Sequence, residues 1–221
     1  GQLQIGRVDW QLPAAAGRLQ LWGLQIDGAS LLLWPRPGAQ AAVRLARVQV
    51  ARAQYDSPPP SGQPLSPPAN LQWPVDLAVP QLVVDALQID ALPAVRQLRA
   101  GLVLGADNGR LHRVDSLQLV LETGTAATPA PVAVGGQLQI GTAAPLAVQA
   151  SLQARRGLAP AWQATLAASG PLADLQADAS LTGAAPASGQ QAAGAAPSLQ
   201  AVGKLQPFAA WPLGALQLQT T

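Results

Sequence analysis

Apolar and polar residues alternate at a period of two along most of the chain. Leu3/Ile5, Leu19/Leu21, Leu87/Ile89, Leu117/Leu119/Leu121, Leu138/Ile140, Leu146/Val148 and Leu216/Leu218 are each separated by a polar or small residue. A strand points successive side chains to opposite faces, so each run makes one apolar and one polar face. The polar partner is usually Gln, as in Leu19-Gln20-Leu21, Leu117-Gln118-Leu119 and Leu138-Gln139-Ile140. Ala, Leu and Gln favour helix intrinsically, but helical spacing is not sustained, and Gly or Pro recurs too often to leave room for one. The pattern therefore predicts an all-β protein of mostly antiparallel, amphipathic strands.

Turn residues punctuate the runs. Asp27-Gly28, Asp107-Asn108-Gly109 and Gly135-Gly136 are predicted to form tight hairpin turns, because Gly and Asn tolerate positive φ. Pro35-Arg36-Pro37-Gly38 and Ser169-Gly170-Pro171 read as breakers. A Pro-rich stretch beginning Ser57-Pro58-Pro59-Pro60 and a second stretch over 183–198, almost entirely Ala, Gly, Gln, Pro and Ser, read as loops outside the sheet. The predicted organisation is a first β-segment over 1–56, a Pro-rich linker over 57–70, and a continuing β-segment over 71–221 with the loose loop near 183–198. Both ends already have strand character, so the chain reads as an internal piece of a longer protein.

Composition narrows the chemistry. Of 221 residues, 49% are hydrophobic and only 11% charged, against roughly a quarter charged in ordinary soluble domains. The net charge is +2, so the surface is bland rather than basic. With no Cys and one His, disulfides, thiolate metal sites and His clusters are excluded. No apolar run is long enough for a membrane-spanning helix. Aromatic residues are 4%, too few for the girdles of a transmembrane barrel.

No catalytic constellation emerges, and no enzyme, metal or cofactor is expected. His112 lacks a paired nucleophile and reads as structural. Asp85/Asp90 and Asp174/Asp178 read as solvated strand ends and turns. Gly135-Gly136 is not followed by a helix, so a phosphate-cradling loop is not expected there. Arg44, Arg47, Arg52, Arg96, Arg99, Arg155 and Arg156 lack interleaved aromatics, so no nucleic-acid platform is predicted. Trp34, Trp73 and Trp211 each precede Pro, which keeps them extended, as packing anchors at strand ends.

What remains is the apolar side of the strands. Leu19, Leu21, Leu87, Ile89, Leu117, Leu119, Leu121, Leu138, Ile140, Val148, Leu152 and Leu166 are predicted to share one face. Gln20, Gln88, Gln118 and Gln139 are predicted to face water. A large exposed apolar face usually meets a partner or lipid, and aliphatic side chains suit acyl chains.

Particular segments carry a family resemblance. Gly6-Arg7-Val8-Asp9-Trp10, Gly17–Gly28, Val75-Asp76-Leu77-Ala78-Val79-Pro80, Leu82–Asp90 and Pro207-Phe208-Ala209-Ala210-Trp211-Pro212-Leu213 together resemble the TamB family of translocation and assembly module proteins. The resemblance implies an elongated, curved β-sheet (a β-taco or trough) with a hydrophobic concave face, akin to AsmA-like and bridge-like lipid carriers. It implies phospholipid as cargo, a role in outer-membrane biogenesis, and an Omp85-type outer-membrane partner, TamA. It also implies a periplasmic location in a diderm bacterium, anchored to the inner membrane by a segment absent here. The alternative from the residues is a structural or chaperone-like β-scaffold for outer-membrane protein or autotransporter assembly.

Overall fold

The computed structural model describes residues 1–12, 17–32, 41–58, 66–125, 128–158, 160–183, 197–209 and 213–220. Twelve strands form one sheet in chain order. They are β1 (Gln2–Gln11), β2 (Arg18–Leu32), β3 (Ala41–Asp56), β4 (Val75–Ile89), β5 (Val95–Gly105), β6 (Leu111–Leu121), β7 (Val132–Gly141), β8 (Ala147–Arg156), β9 (Trp162–Pro171), β10 (Leu175–Gly183), β11 (Ser198–Leu205) and β12 (Leu213–Thr220). All neighbours are antiparallel except β3 and β4, which are parallel. The sheet is open, with β1 and β12 at its edges. The only helical piece among the described residues is a four-residue turn, Ala106–Gly109. The fold is thus all-β, as the alternation implies.

The long strands β2, β3 and β4 explain why the apolar residues do not keep strict period two. In β4 they fall at Leu77 and Val79, then Leu82 and Val84, then Leu87 and Ile89. β3 repeats this at Val43/Leu45, Val48/Val50 and Ala53/Tyr55, and β2 has Leu19/Leu21 and Leu24/Ile26. Between pairs the interval is three, not two. Gly23 and Gly28 sit in the two gaps of β2 at φ +64° and +63°, facing Ala51 and Ala46 of β3. A left-handed residue inside a strand reverses which side the next side chain meets. The extra residue therefore restores the apolar set to its face, and neighbouring strands carry the same insertion in register. Leu24, Val50, Val84 and Leu98 form one continuous row, and Leu21, Ala53, Leu87 and Val95 another.

Two predicted turns are corrected by this arrangement. Asp27-Gly28 lies inside β2 and Gly135-Gly136 inside β7. In the first, positive φ serves a phase reset rather than a reversal; in the second, both glycines stay in the ladder between β6 and β8. Asp107-Asn108-Gly109 does join β5 to β6, with Asp107 and Asn108 both at positive φ. Ser169-Gly170-Pro171 forms the end of β9, and the strand stops at Pro171, where the breaker was read. The Pro35–Gly38 breaker, Trp34 and Trp211 lie outside the described residues. Trp73 precedes β4 but is 44% exposed, so it is not a buried anchor.

The parallel β3–β4 pair requires the connection over 57–74 to return along the length of β3. Its described parts are fastened at both ends. Ser57 donates from its backbone N–H and its hydroxyl to Asp90, at 2.7 and 2.5 Å. At the far end the Leu71 N–H donates to the Thr142 carbonyl at 2.8 Å, and Asn70 bridges Ala143. His112 completes this fastening. Its Nδ1 accepts from the Gly105 N–H at 3.0 Å, and its Nε2 lies 2.6 Å from the Leu71 carbonyl, so Nε2 carries the proton.

The best-packed region lies on the apolar face of β3 and β4. Val50, Ala53 and Val84 are buried, with Leu21, Leu24, Val48, Leu82, Leu87 and Leu98 packed against them. Among the described residues each strand's substantial contacts are with the strands beside it, and no second layer covers the sheet.

Candidate functional site: an apolar face and its cleft

Residues paired across a ladder point to the same side, so the register assigns faces strand by strand. Leu19 pairs with Tyr55, which pairs with Ile89; Leu21 pairs with Ala53, which pairs with Leu87. Leu87 leads through Val95 to Leu121. Leu117 pairs with Gly136, then Leu152, then Leu166. Leu119 pairs with Val134, while Val114 pairs with Leu138, and Ile140 with both His112 and Val148. The register therefore puts all twelve residues named from the sequence on one side of the sheet.

Their surroundings differ. Leu21 and Leu87 pack on the buried Val50/Ala53/Val84 cluster. Val148 is buried, whereas Leu138 is 36% exposed. Leu152 and Leu166 line an open cleft of about 800 Å³ on the apolar side of β7–β11. The other apolar walls of this cleft are Val134, Ala154, Trp162, Ala164, Ala179, Leu181, Leu199 and Ala201. All of these are on the same ladder face. They were missed from the sequence because several are Ala, which barely marks an alternation. The signal was present in Trp162/Ala164/Leu166/Ala168 and in Ala177/Ala179/Leu181.

The opposite face holds the polar side chains. Gln118 is exposed and Gln88 and Gln139 are half-buried, but Gln20 is 9% exposed and so does not face open water. Its amide donates to Asp9 at 3.2 Å, beneath the Arg18–Asp9 pair. Charge on this face is largely local. Trp22 lies between Arg7 and Arg52, at 5.7 and 5.3 Å from its ring, and Arg96 pairs with Glu122 at 3.0 Å. Asp90 is held below the usual carboxylate range, first by the Ser57 hydroxyl and then by the Ser57 N–H. Among the described residues no group of three or more His, Asp or Glu side chains could hold a metal ion.

No family model, curated protein or solved structure matches the chain.

Proposed function

We propose that this chain is a segment of a lipid-conducting β-trough of the TamB-like kind, its apolar face forming the inner wall. The observation that carries this reading is the cleft on β7–β11: a hollow of about 800 Å³ walled mainly by aliphatic side chains and Trp162, on a sheet over which the described residues place no second layer. Acyl chains need no directional contacts, and burying them against such a wall is worth roughly 25 cal/mol per Å². A phospholipid would lay its tails on this face and keep its headgroup at the rim, sliding along rows that run from strand to strand. In the longer protein the trough would bridge inner and outer membranes of a diderm cell, meeting an Omp85-type partner at its far end, and would support outer-membrane biogenesis.

A photo-crosslinking residue at Leu166, inside the cleft, tests this in cells. It is expected to capture phospholipid, while the same residue at Ala167, on the other face, is not. With the crosslinker kept at position 166, Leu152→Arg on the paired strand is expected to abolish capture in a folded protein, because it places a charge in the acyl path. Equal capture at both positions, or none at either, would overturn the lipid reading and leave a β-scaffold. So would unfolding by Leu152→Arg, which would mark the face as closed core.

A further inference from the structure

The polar face carries a recess that the apolar cleft does not explain. It is an open hollow of about 500 Å³, with the exposed side chains of Arg99, Arg155, Gln97, Gln118, Gln153 and Gln163 around Gly135, Val120 and Ala133. Gly135 shares the floor with Val120 and Ala133. It stands in register between Gln118 of β6 and Gln153 of β8, and Arg99 of β5 extends the same row. Arg155 enters from the next polar row, beside Gln163 of β9.

Nothing in the backbone asks for glycine at position 135. Its φ is not positive, the ladder runs through it without a bulge, and a Cβ built there would come no closer than 3.4 Å to another heavy atom, the Leu117 carbonyl. The adjacent Gly136 is the contrast, because a Cβ there would collide with the Ser151 carbonyl and with Leu152. Glycine inside a strand weakens it, and otherwise marks a bulge, a bend or a place where another group approaches closely. With no bulge in the ladder at Gly135, close approach is the use the position suits.

The walls indicate what approaches. Arg99 and Arg155 form no ion pair with any described residue. The four Gln amides make no hydrogen bond to described residues. No carboxylate lines the recess. Two exposed guanidinium groups and four exposed amides thus stand around an open floor with no described protein group taking their donors. Arg99 and Arg155 stand three strands apart, about 14 Å across the ladder, on strands either side of Gly135. A tetrahedral oxyanion accepts from several directions at once, whereas a carboxylate offers two oxygens in one plane. We propose that the Gly135 recess binds a phosphate ester, with Arg99 and Arg155 pairing the phosphate oxygens and the Gln amides meeting a small polar substituent. It lies on the opposite side of the sheet from the apolar cleft and stands independently of the lipid reading.

Calorimetric titration of the 221-residue chain with glycerol 3-phosphate at low ionic strength tests the site, beside flotation with phosphatidylglycerol vesicles. Saturable binding of the soluble ester assigns a free metabolite, and binding confined to the vesicles assigns a headgroup; either supports phosphate recognition. Gly135→Gln, which fills the floor, and the double change Arg99→Gln/Arg155→Gln are each expected to weaken binding by at least about tenfold, the loss of a charge-assisted contact. Arg44→Gln, elsewhere on the same face, is expected to leave affinity unchanged. Circular dichroism checks folding, and if Gly135→Gln does not fold, the double Arg variant carries the test. No saturable binding of either probe would overturn the proposal. So would affinity unchanged in the folded variants, an equal loss in Arg44→Gln, or equal affinity for glutarate.

Discussion

Asp9 concentrates the electrostatics of the first hairpin. Its carboxylate accepts from the Arg18 guanidinium, with Nε at 2.8 Å, and from the Gln20 amide, with Arg7 at 3.5 Å. The hydrogen bond from Arg18, then that from Gln20, lower its pKa from 3.8 to about 2. A depressed carboxylate stabilises the fold above its unfolded pKa, and that contribution is lost as pH falls through the folded one. The β1–β2 pairing is therefore expected to be insensitive to Asp9 above about pH 4 and to weaken as pH falls toward 2. Chemical shifts of the Asp9 carboxyl against pH check this, and Asp9→Asn is expected to remove the dependence. Glycines supply a second contrast. Gly28→Ala puts a Cβ 2.7 Å from that of Ala46 at φ +63°, and is expected to cost about 1–3 kcal/mol in urea unfolding. At Gly6 no atom lies within 4 Å of an added Cβ, so Gly6→Ala is expected to be close to neutral. Sequence reading mistook Gly28 for a turn residue because Asp-Gly carries the same positive-φ signature in a hairpin and in a phase reset. Only the neighbouring strand distinguishes the two.

Among the elements, β3 and β4 are held on both sides and β12 on one. Val50 is 4% exposed in the best-packed rows, and Val202 of β11 is 42% exposed. Val50→Ala is expected to cost about 2 kcal/mol, and Val202→Ala less than about 0.5 kcal/mol, measured by denaturant midpoints. Every residue of β12 is exposed. Its amides are expected to exchange with deuterium well before those of β3 and β4, and uniform protection across the sheet would contradict this. The strands themselves were legible wherever Leu, Ile or Val alternated with Gln. The parallel β3–β4 pairing was not, since period two is the same in either direction. The Pro-rich stretch after Ser57 signalled a long connection without saying where the chain would re-enter.

At the scale of the whole molecule, strand content dominates, and far-UV circular dichroism is expected to show very little helix. The shared apolar face was readable because most Leu, Ile and Val positions keep to one side through the registers, although Val83, Val120 and Val202 lie on the other. The cleft on that face was not, because Ala154, Ala164, Ala179 and Ala201 create it by being small. The recess at Gly135 was equally hidden, since Gly135-Gly136 reads as a turn until both flanking strands are in place.

The order of the strands bears on inheritance. Among the described residues each strand from β5 onward pairs with the strands before and after it in the chain, and every pair from β4–β5 to β11–β12 is antiparallel. Excising two consecutive strands, for example β8 and β9, would bring β7 against β10 with opposed directions, able to pair as before. Duplicating such a hairpin would do the reverse. Either event preserves which side each residue faces, since side-chain parity is carried along with the strands. Genes for sheets of this kind can therefore lengthen or shorten in hairpin-sized steps without redesigning the remainder, and the span of the molecule becomes a quantity that selection can adjust by copy number.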